Sequence, residues 1–466
     1  MWWRYWSIVA AVASLQGQHF SEAQGGTGSV NAQGIEALGE NPAGLLQSRG
    51  RWEFSLPGFS AQLVGMTVRE YTSFFGGVET PAGYQPRRLT VQERAEFVAL
   101  LERQPVFVEA AAQPLALLWK PSAEHALAFG MSVQLWMQAQ AFEGATAAAR
   151  QPVIGGERAE LRGGKAQLRL YSMATLGYAR RLWHGKLASD PSARLRWGEL
   201  VGGVAVHLYR GHRYEELLPG AWFQLQPFLS PSWDSTFSWD VSGRLLWRHA
   251  DAGASALGLA LGVAPAVGWG VGVSLGLRWE WRAADTLPVV AALGLSLEHA
   301  GFLHWKLMEA TLQWEHDTIS GILGTAWDAV RVRFTPARQT LTRVEALPLE
   351  VRLGAALELM QTGIALPVRL SVEYQQRVGA EWSRAGGYGG IGLLLYPLTS
   401  WMPGIGVGAL WSATSSPQFP AGLRWELPAV GRQRTVFELL VQSLSSWLFP
   451  TRVWHFGGAA RVWMFF

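Results

Sequence analysis

The chain has no cysteine, which removes disulfide frameworks, thiolate metal sites and cysteine nucleophiles together. Charge is scarce as well: Asp, Glu, Lys and Arg make up 16% of the 466 residues, and the formal net charge is only +4. No Lys/Arg cluster interleaves with aromatics as a nucleic-acid footprint would, so nucleic acid is not an expected partner. Asparagine occurs only at Asn31 and Asn41, and Arg far exceeds Lys, a bias that a hot habitat or a GC-rich coding preference would each produce. What is abundant is tryptophan, 25 residues, and glycine, 53 residues. A Trp-rich, Gly-rich, charge-poor chain fits a protein with an outward apolar band edged by aromatics better than a soluble globule.

Strict alternation supports that class. Trp269, Val271, Val273, Leu275, Leu277, Trp279 and Trp281 alternate with Gly270, Gly272, Ser274, Gly276, Arg278, Glu280 and Arg282, and after a turn at Ala283–Thr286 the pattern repeats from Leu287 to Leu297. Ten steps of about 3.3 Å on a strand tilted by about 40° rise roughly 25 Å, so Trp269 and Trp279 fall at the two rims of a lipid band. A strand of a soluble sandwich averages about half that length. Matched strands are also expected at Leu349–Leu359 and Leu366–Tyr374, joined by Met360-Gln-Thr-Gly363, and a hairpin at Val106–Trp119 and Ala126–Phe142. Further candidates are Arg51–Thr67 (a first pair), Lys165–Arg180, Glu199–Tyr209, Thr236–Trp247, Gly387–Tyr396, Gly404–Trp411, Leu423–Leu427 and Arg434–Leu448. The final stretch places Met464, Val462, Ala460, Gly458 and Phe456 on one parity and Arg461 and His455 on the other. Alone, that pattern fits a half-buried soluble strand equally well. Together with the Trp-to-Trp span it resembles the closing strand of a bacterial outer-membrane barrel, whose apolar parity, Val462, Met464 and Phe466, would serve as the C-terminal assembly signal.

The remaining segments fall into place around these strands. Residues 1–24 hold one positive charge, a short apolar run and small residues, the layout of a cleaved signal peptide, too short to span as a helix. Residues 25–50 form a small-residue segment in which Pro42 biases Asn41 away from helix. Within Tyr84–Gln104, Thr90 and Glu93 carry the spacing of a capping box, which predicts a helix inserted in a loop. The uncharged run Ala252–Leu277 contains Pro265 and repeated Gly; its second half alternates as a strand, and Ala254–Val263 is open between a strand and a short helix tucked inside the barrel.

Pattern matches to enzymes fail on context. Gly387-Tyr-Gly389-Gly390-Ile-Gly392 fits G-x-G-x-x-G but enters a strand, so no helix N-terminus awaits a pyrophosphate. Gly272-Val-Ser274-Leu-Gly276 fits G-x-S-x-G but lies in mid-strand, away from a nucleophile elbow. His212, His299, His304 and His316 are scattered in expected loops or strand ends, and Glu215-Glu216 and Arg180-Arg181 read as solvated loop and rim charges. No catalytic residue, metal site or cofactor is expected. The lumen parity mixes small residues with Arg, Glu and Gln, which suits an interior filled by side chains and a plug, or a narrow path.

Ala37-Leu-Gly-Glu-Asn41-Pro42-Ala43-Gly44 resembles the N-terminal hatch of the FadL-like outer-membrane fatty acid transporters. Tyr171–Arg180, Gly203–Gly211 and Leu295–Trp305 are similar to strand segments of an uncharacterised, PorV/FadL-related outer-membrane family. The resemblance implies an all-β fold: a transmembrane antiparallel barrel of about fourteen strands over 51–466, plugged by residues 25–50 with Asn41, Pro42 and Ala43 as the hatch motif. Where the second family carries an acidic residue, this chain has Met173, and the fatty-acid-binding positions find no match. The expected role is a channel or transporter for hydrophobic or amphipathic small molecules in the outer membrane, with lipid and the barrel-assembly machinery as partners. The alternative is a non-transporting accessory barrel, PorV-like and related to secretion, docking a protein through loops such as Tyr84–Gln104 and Phe302–Ala346. The barrel reading predicts a gel mobility that changes on boiling and a β-dominated circular dichroism spectrum in detergent; a helix-rich product soluble without detergent would refute it.

Overall fold

The computed structural model describes residues 24 and 26–466, except 81–82, 87–89, 144–157, 161–163, 187–194, 219–221, 230–236, 261, 284–288, 321–336, 360–366, 379–385, 398–401, 413–414, 430–432, 445 and 447–454. Residues 1–23 of the signal-peptide reading and the turns at 284–286 and 360–363 therefore lie outside the described residues.

Among the described residues the wall is one antiparallel sheet that closes on itself. Taking collinear pieces as one strand gives fourteen: β1 (Trp52–Ser55 and Gly58–Val64), β2 (Val106–Ser122), β3 (His125–Gln140), β4 (Arg158–Glu160 and Lys165–Lys186), β5 (Leu195–Leu217 and Trp222–Leu229), β6 (Phe237–Asp251 and Gly268–Ala283), β7 (Val289–Ser320), β8 (Ala337–Ala346 and Leu349–Leu359), β9 (Val368–Val378), β10 (Gly386–Leu395), β11 (Gly404–Ser412), β12 (Ser415–Gln418 and Ala421–Glu426), β13 (Arg434–Val441) and β14 (His455–Phe465). The ring closes where β14 pairs with both pieces of β1, through Glu53↔Phe465 and Phe59↔Ala460. Closure is what a lipid-embedded sheet requires, because a bare N–H or C=O in hydrocarbon costs several kcal/mol.

The exterior confirms the parity read from the sequence. Leu275 and Leu277 on β6, Leu295 on β7, Leu353 on β8 and Val372 on β9 are all exposed, while Ser274, Arg278, Ser296 and Glu373 on the alternate parity are buried. An apolar outside around a polar inside defines a transmembrane barrel. The wall is uneven: β7 runs 32 residues against 8 in β13. About ten residues suffice to span, so β4–β8 rise well above the lipid band at the end opposite Phe466.

Five expectations are corrected. Arg51–Thr67 is not a hairpin. Its two pieces run in one direction, interrupted where Pro57 lacks an N–H, and Leu56 N–H bridges the break by donating to Val462 O at 3.0 Å. Ala254–Val263 is not inside the barrel. Ala252 N–H donates to His212 O and Val267 N–H to Gly211 O, neighbouring acceptors, so residues 253–266 are looped out of β6. This loop carries a short helix, Ala256–Ala260, on the outer face, where Arg210 donates to Gly262 O and Ala264 O at 2.8 Å each. Phe302–Ala346 is not mainly a loop, since β7 continues to Ser320 and β8 resumes at Ala337. Glu215-Glu216 is strand, with Glu216 buried against Arg343. Glu199–Tyr209 likewise extends to 195–217, past the apolar alternation at both ends.

The inserted helix is present as expected, at Val91–Arg103 with the Thr90/Glu93 capping box, and a second, Val68–Phe75, is capped in the same way by Thr67 and Glu70. Together they cover outward residues of β1 and β2, Leu63, Val106 and Val108, using Phe97 and Leu100. Placing a charge on the lipid face tests the orientation: Leu275→Arg, midway along the Trp269–Trp281 strand, should lower unfolding stability by about 2–4 kcal/mol, measured by reversible urea unfolding in vesicles.

Candidate functional site

The N-terminal segment lies inside the ring. It folds as one helical turn, Gly28–Asn31, and two 3-10 stretches, Gly34–Gly39 and Pro42–Gln47. None is long enough to hold itself together, and the wall supplies the stabilisation. Asn41, extended as residues before proline must be, accepts from Ala43 N–H at 3.1 Å. Its amide donates to Ser29 O at 2.7 Å and to Leu277 O at 3.2 Å, tying the segment to itself and to β6.

Close approach depends on glycine. A Cβ at Gly203 would stand 2.3 Å from the Pro42 carbonyl carbon and the Ala43 nitrogen, and one at Gly276 would stand 2.0 Å from Asn41 Oδ1. Gly294 and Gly392 face the backbone carbonyls of Ser29 and Gln24 in the same way. The glycines that the sequence places on the inward parity are thus where the segment's backbone rests on the wall.

Charge sets the remaining contacts. Glu36 lies 3.2 Å from Arg424 and 3.9 Å from Arg461, and Glu40 pairs with Arg352. Arg278 and Arg369 both donate to Val30 O, and Ser29 donates through N–H and Oγ to Glu373 Oε2 at 2.8 and 2.6 Å. Glu36, Glu40, Arg278, Arg369, Glu373 and Arg461 are buried, and Arg352 and Arg424 are partly exposed, so removing the partner of a buried group strands it, a cost of roughly 3–5 kcal/mol.

Above the segment, away from Phe466, is a cavity of about 250 Å³. Its floor is Gly39 and Glu40; its walls include Trp136, Tyr171 and Tyr209, and Glu109, Glu298, Glu350, Arg352 and Arg377. A second space of about 120 Å³ shares Gly39, Gln134 and His299 with it. Below the segment, Gln33 and Gln47 border a smaller space of about 40 Å³ with Trp463 and Phe465. Higher up, Arg169 pairs with Glu345 at 2.9 Å, and Trp305 donates to Glu345 at 3.1 Å, which fills the tall side of the lumen. Beside the cavity the wall is loosened: β1 and β2 pair at Gly58↔Gln113 but at no described residue above it.

Ser274 is inward, as its parity requires, and meets a partner the sequence did not reveal. His207 Nε2 lies 2.7 Å from Ser274 Oγ, and His207 Nδ1 lies 2.9 Å from Thr175 Oγ1. Among the described residues no carboxylate bonds the imidazole. Ser274 Oγ also accepts from His299 N–H at 3.1 Å, at a bulge where His299 adopts φ 57°. The group pins that bulge. Period-two parity aims Ser274, Thr175 and His207 at the lumen, but nothing in sequence spacing joins three strands at one level. His212, His299 and His304 lie within strands, not in loops.

At the other end of the site, Val462, Met464 and Phe466 share the outward parity of β14 while Arg461 is buried inside. Phe466 N–H donates to Trp52 O at 2.9 Å, and Phe466 O accepts from Arg51 N–H at 2.8 Å.

These features together define a transmembrane β-barrel whose lumen is occupied by its own N-terminal segment. No family model matches the chain, and no curated protein matches it. Among solved structures it is similar to the Ralstonia pickettii toluene transporter TbuX (14% identity, 97% of this chain and 98% of that one, TM-score 0.45). It is also similar to the P. putida toluene transporter TodX (12% identity, 97% of each chain, TM-score 0.44) and to a Pseudomonas aeruginosa FadL homologue (11%, 97% and 98%, TM-score 0.44). The resemblance to the uncharacterised PorV/FadL-related family rests on the residues quoted for it alone. Filling one inward glycine should unseat the segment: in Gly203→Val the strand cannot yield to the Pro42 backbone, and limited proteolysis in detergent should cut within residues 26–50 at least about ten times faster than in the unsubstituted protein.

Proposed function

We propose that the chain is an outer-membrane channel or transporter for amphipathic small molecules, with residues 25–50 as its hatch and Asn41, Pro42 and Ala43 as the turn that holds the hatch in register. The observation that carries this reading is the cavity of about 250 Å³ whose floor is the hatch itself, at Gly39 and Glu40. Aromatic walls and charged groups in one space suit a molecule with an apolar body and a polar end. A solute entering from the tall side comes to rest against the hatch, with the Glu40–Arg352 pair beside it. Passage requires the hatch to move, and the small space beneath it, bordered by Gln33 and Gln47, lies on the far side of Gly34–Gly39. The route therefore runs past that 3-10 stretch. In this reading the signal peptide that directs export lies within residues 1–23, since Gln24 rests against Gly392, and Val462, Met464 and Phe466 present the apolar parity that the assembly machinery recognises.

The test is electrical and chemical. In planar bilayers the full chain should show only small, flickering conductance, and the chain without residues 26–50 a steady conductance several-fold larger. Vesicles containing the full chain should take up a small aromatic alcohol faster than empty vesicles. Equal conductance with and without residues 26–50, together with no uptake above empty vesicles, would overturn the proposal.

A further inference from the structure

The cavity above the N-terminal segment has a particular charge pattern. Four carboxylates line it, those of Glu40, Glu109, Glu298 and Glu350, against two guanidinium groups, Arg352 and Arg377. Both guanidiniums are already engaged. Arg377 Nε donates to Glu350 at 2.5 Å, and Arg352 contacts Glu40, Glu350 at 3.0 Å, Glu298 at 3.3 Å and Glu373 at 3.9 Å. An incoming carboxylate would have to displace one of these pairs and leave the displaced glutamate buried, which is unfavourable.

The carboxylates, by contrast, are in excess. Glu298 is 1% exposed; its Oε1 accepts from Ser296 Oγ at 2.7 Å, and its Oε2 has no hydrogen-bond partner among the described residues. A buried carboxylate oxygen left bare is costly unless a cation or a donor reaches it. The backbone places it there. β7 carries one residue more than β6 between Leu297 and Ala300, and the extra residue, at positive φ in His299, lets consecutive side chains, Glu298 and His299, both line the cavity. Three aromatic rings, Trp136, Tyr171 and Tyr209, also line the cavity, the kind of side chain that attracts a cation with an apolar body. Among the described residues no group of three or more His, Asp or Glu is arranged to hold a metal ion, and Arg352 stands between the glutamates. The space is also far larger than an ion requires.

We infer that this cavity recognises an organic ammonium compound, its charged nitrogen directed to Glu298 and its apolar or aromatic body against Trp136, Tyr171 and Tyr209. The inference rests on the transport reading above and adds the substrate class to it. Because Arg352 contacts both Glu298 and Glu40 of the N-terminal segment, an ammonium bound at Glu298 competes with Arg352 for that carboxylate and so acts on the group that holds Glu40.

The experiment compares three probes of similar size on the full chain in detergent or nanodiscs at neutral pH: 2-phenylethylamine, 2-phenylethanol and 3-phenylpropanoate. Binding is read by calorimetry, uptake in vesicles. The ammonium compound should bind at least about tenfold more tightly than the carboxylate. Glu298→Gln should reduce ammonium affinity by about tenfold and leave the alcohol unchanged, and Glu109→Gln, at a less buried position, should shift it in the same direction. Binding of the carboxylate as tight as that of the ammonium, or unchanged ammonium affinity in folded Glu298→Gln, overturns the inference. If the alcohol is taken up but charge makes no difference, the ammonium assignment falls and transport stands. If no probe binds or crosses, both fall. The three-probe comparison needs no variant, so it decides even if a substitution prevents folding.

Discussion

The structure depends on closing the wall. In hydrocarbon an unpaired strand edge is not tolerated, so the last strand must find the first, and here it does so over two pieces of β1 separated by Leu56-Pro57. The Trp52–Phe466 hydrogen bonds fix the register at the chain's end of the barrel. With that register set, Glu53 and Phe465 point inward together, and Glu53 is placed to accept from Ile35 N–H at 2.7 Å. Closure and seating of the N-terminal segment are therefore consequences of one pairing.

The same alternation that gives the wall its apolar exterior gives it a lumen with two kinds of inward position. Where the inward residue is glycine, as at Gly203, Gly276 and Gly294, the segment's backbone can touch the wall; where it is arginine, as at Arg278, Arg352, Arg369, Arg424 and Arg461, the segment's carboxylates and carbonyls are met. Shape and charge complementarity coincide on one inner surface. The cavity above is what remains of the lumen after the segment has filled the lower part and the Arg169–Glu345–Trp305 group has filled the tall side.

Several features were legible in the residues themselves. The Trp269–Trp281 alternation placed β6 and the orientation of Arg278 and Glu280. The parity of Val462, Met464 and Phe466 placed β14 outward, and Thr90 with Glu93 located a helix. Strand cores were readable because lipid on one side and water or protein on the other forces a period of two. Strand ends were not, since β4–β8 continue above the lipid, where neither face must be apolar. The looped-out segment was misplaced for a related reason: an uncharged run looks the same on the outer face as in the interior, and Arg210 and His212, some fifty residues earlier, hold it outside.

Sequence by itself determined the class: an even-stranded barrel with an apolar exterior, because alternation is a local property of the chain. The tertiary structure decided the site. Glu40, Glu298, Glu350 and Glu373 lie on four separate elements and gather around Arg352 only when shear and register are fixed, and His207 meets Ser274 only across the β5–β6 ladder. Register is set by pairing over the whole ring, including a one-residue bulge at His299 that no local pattern announces, and so the chemistry of the lumen follows from closure.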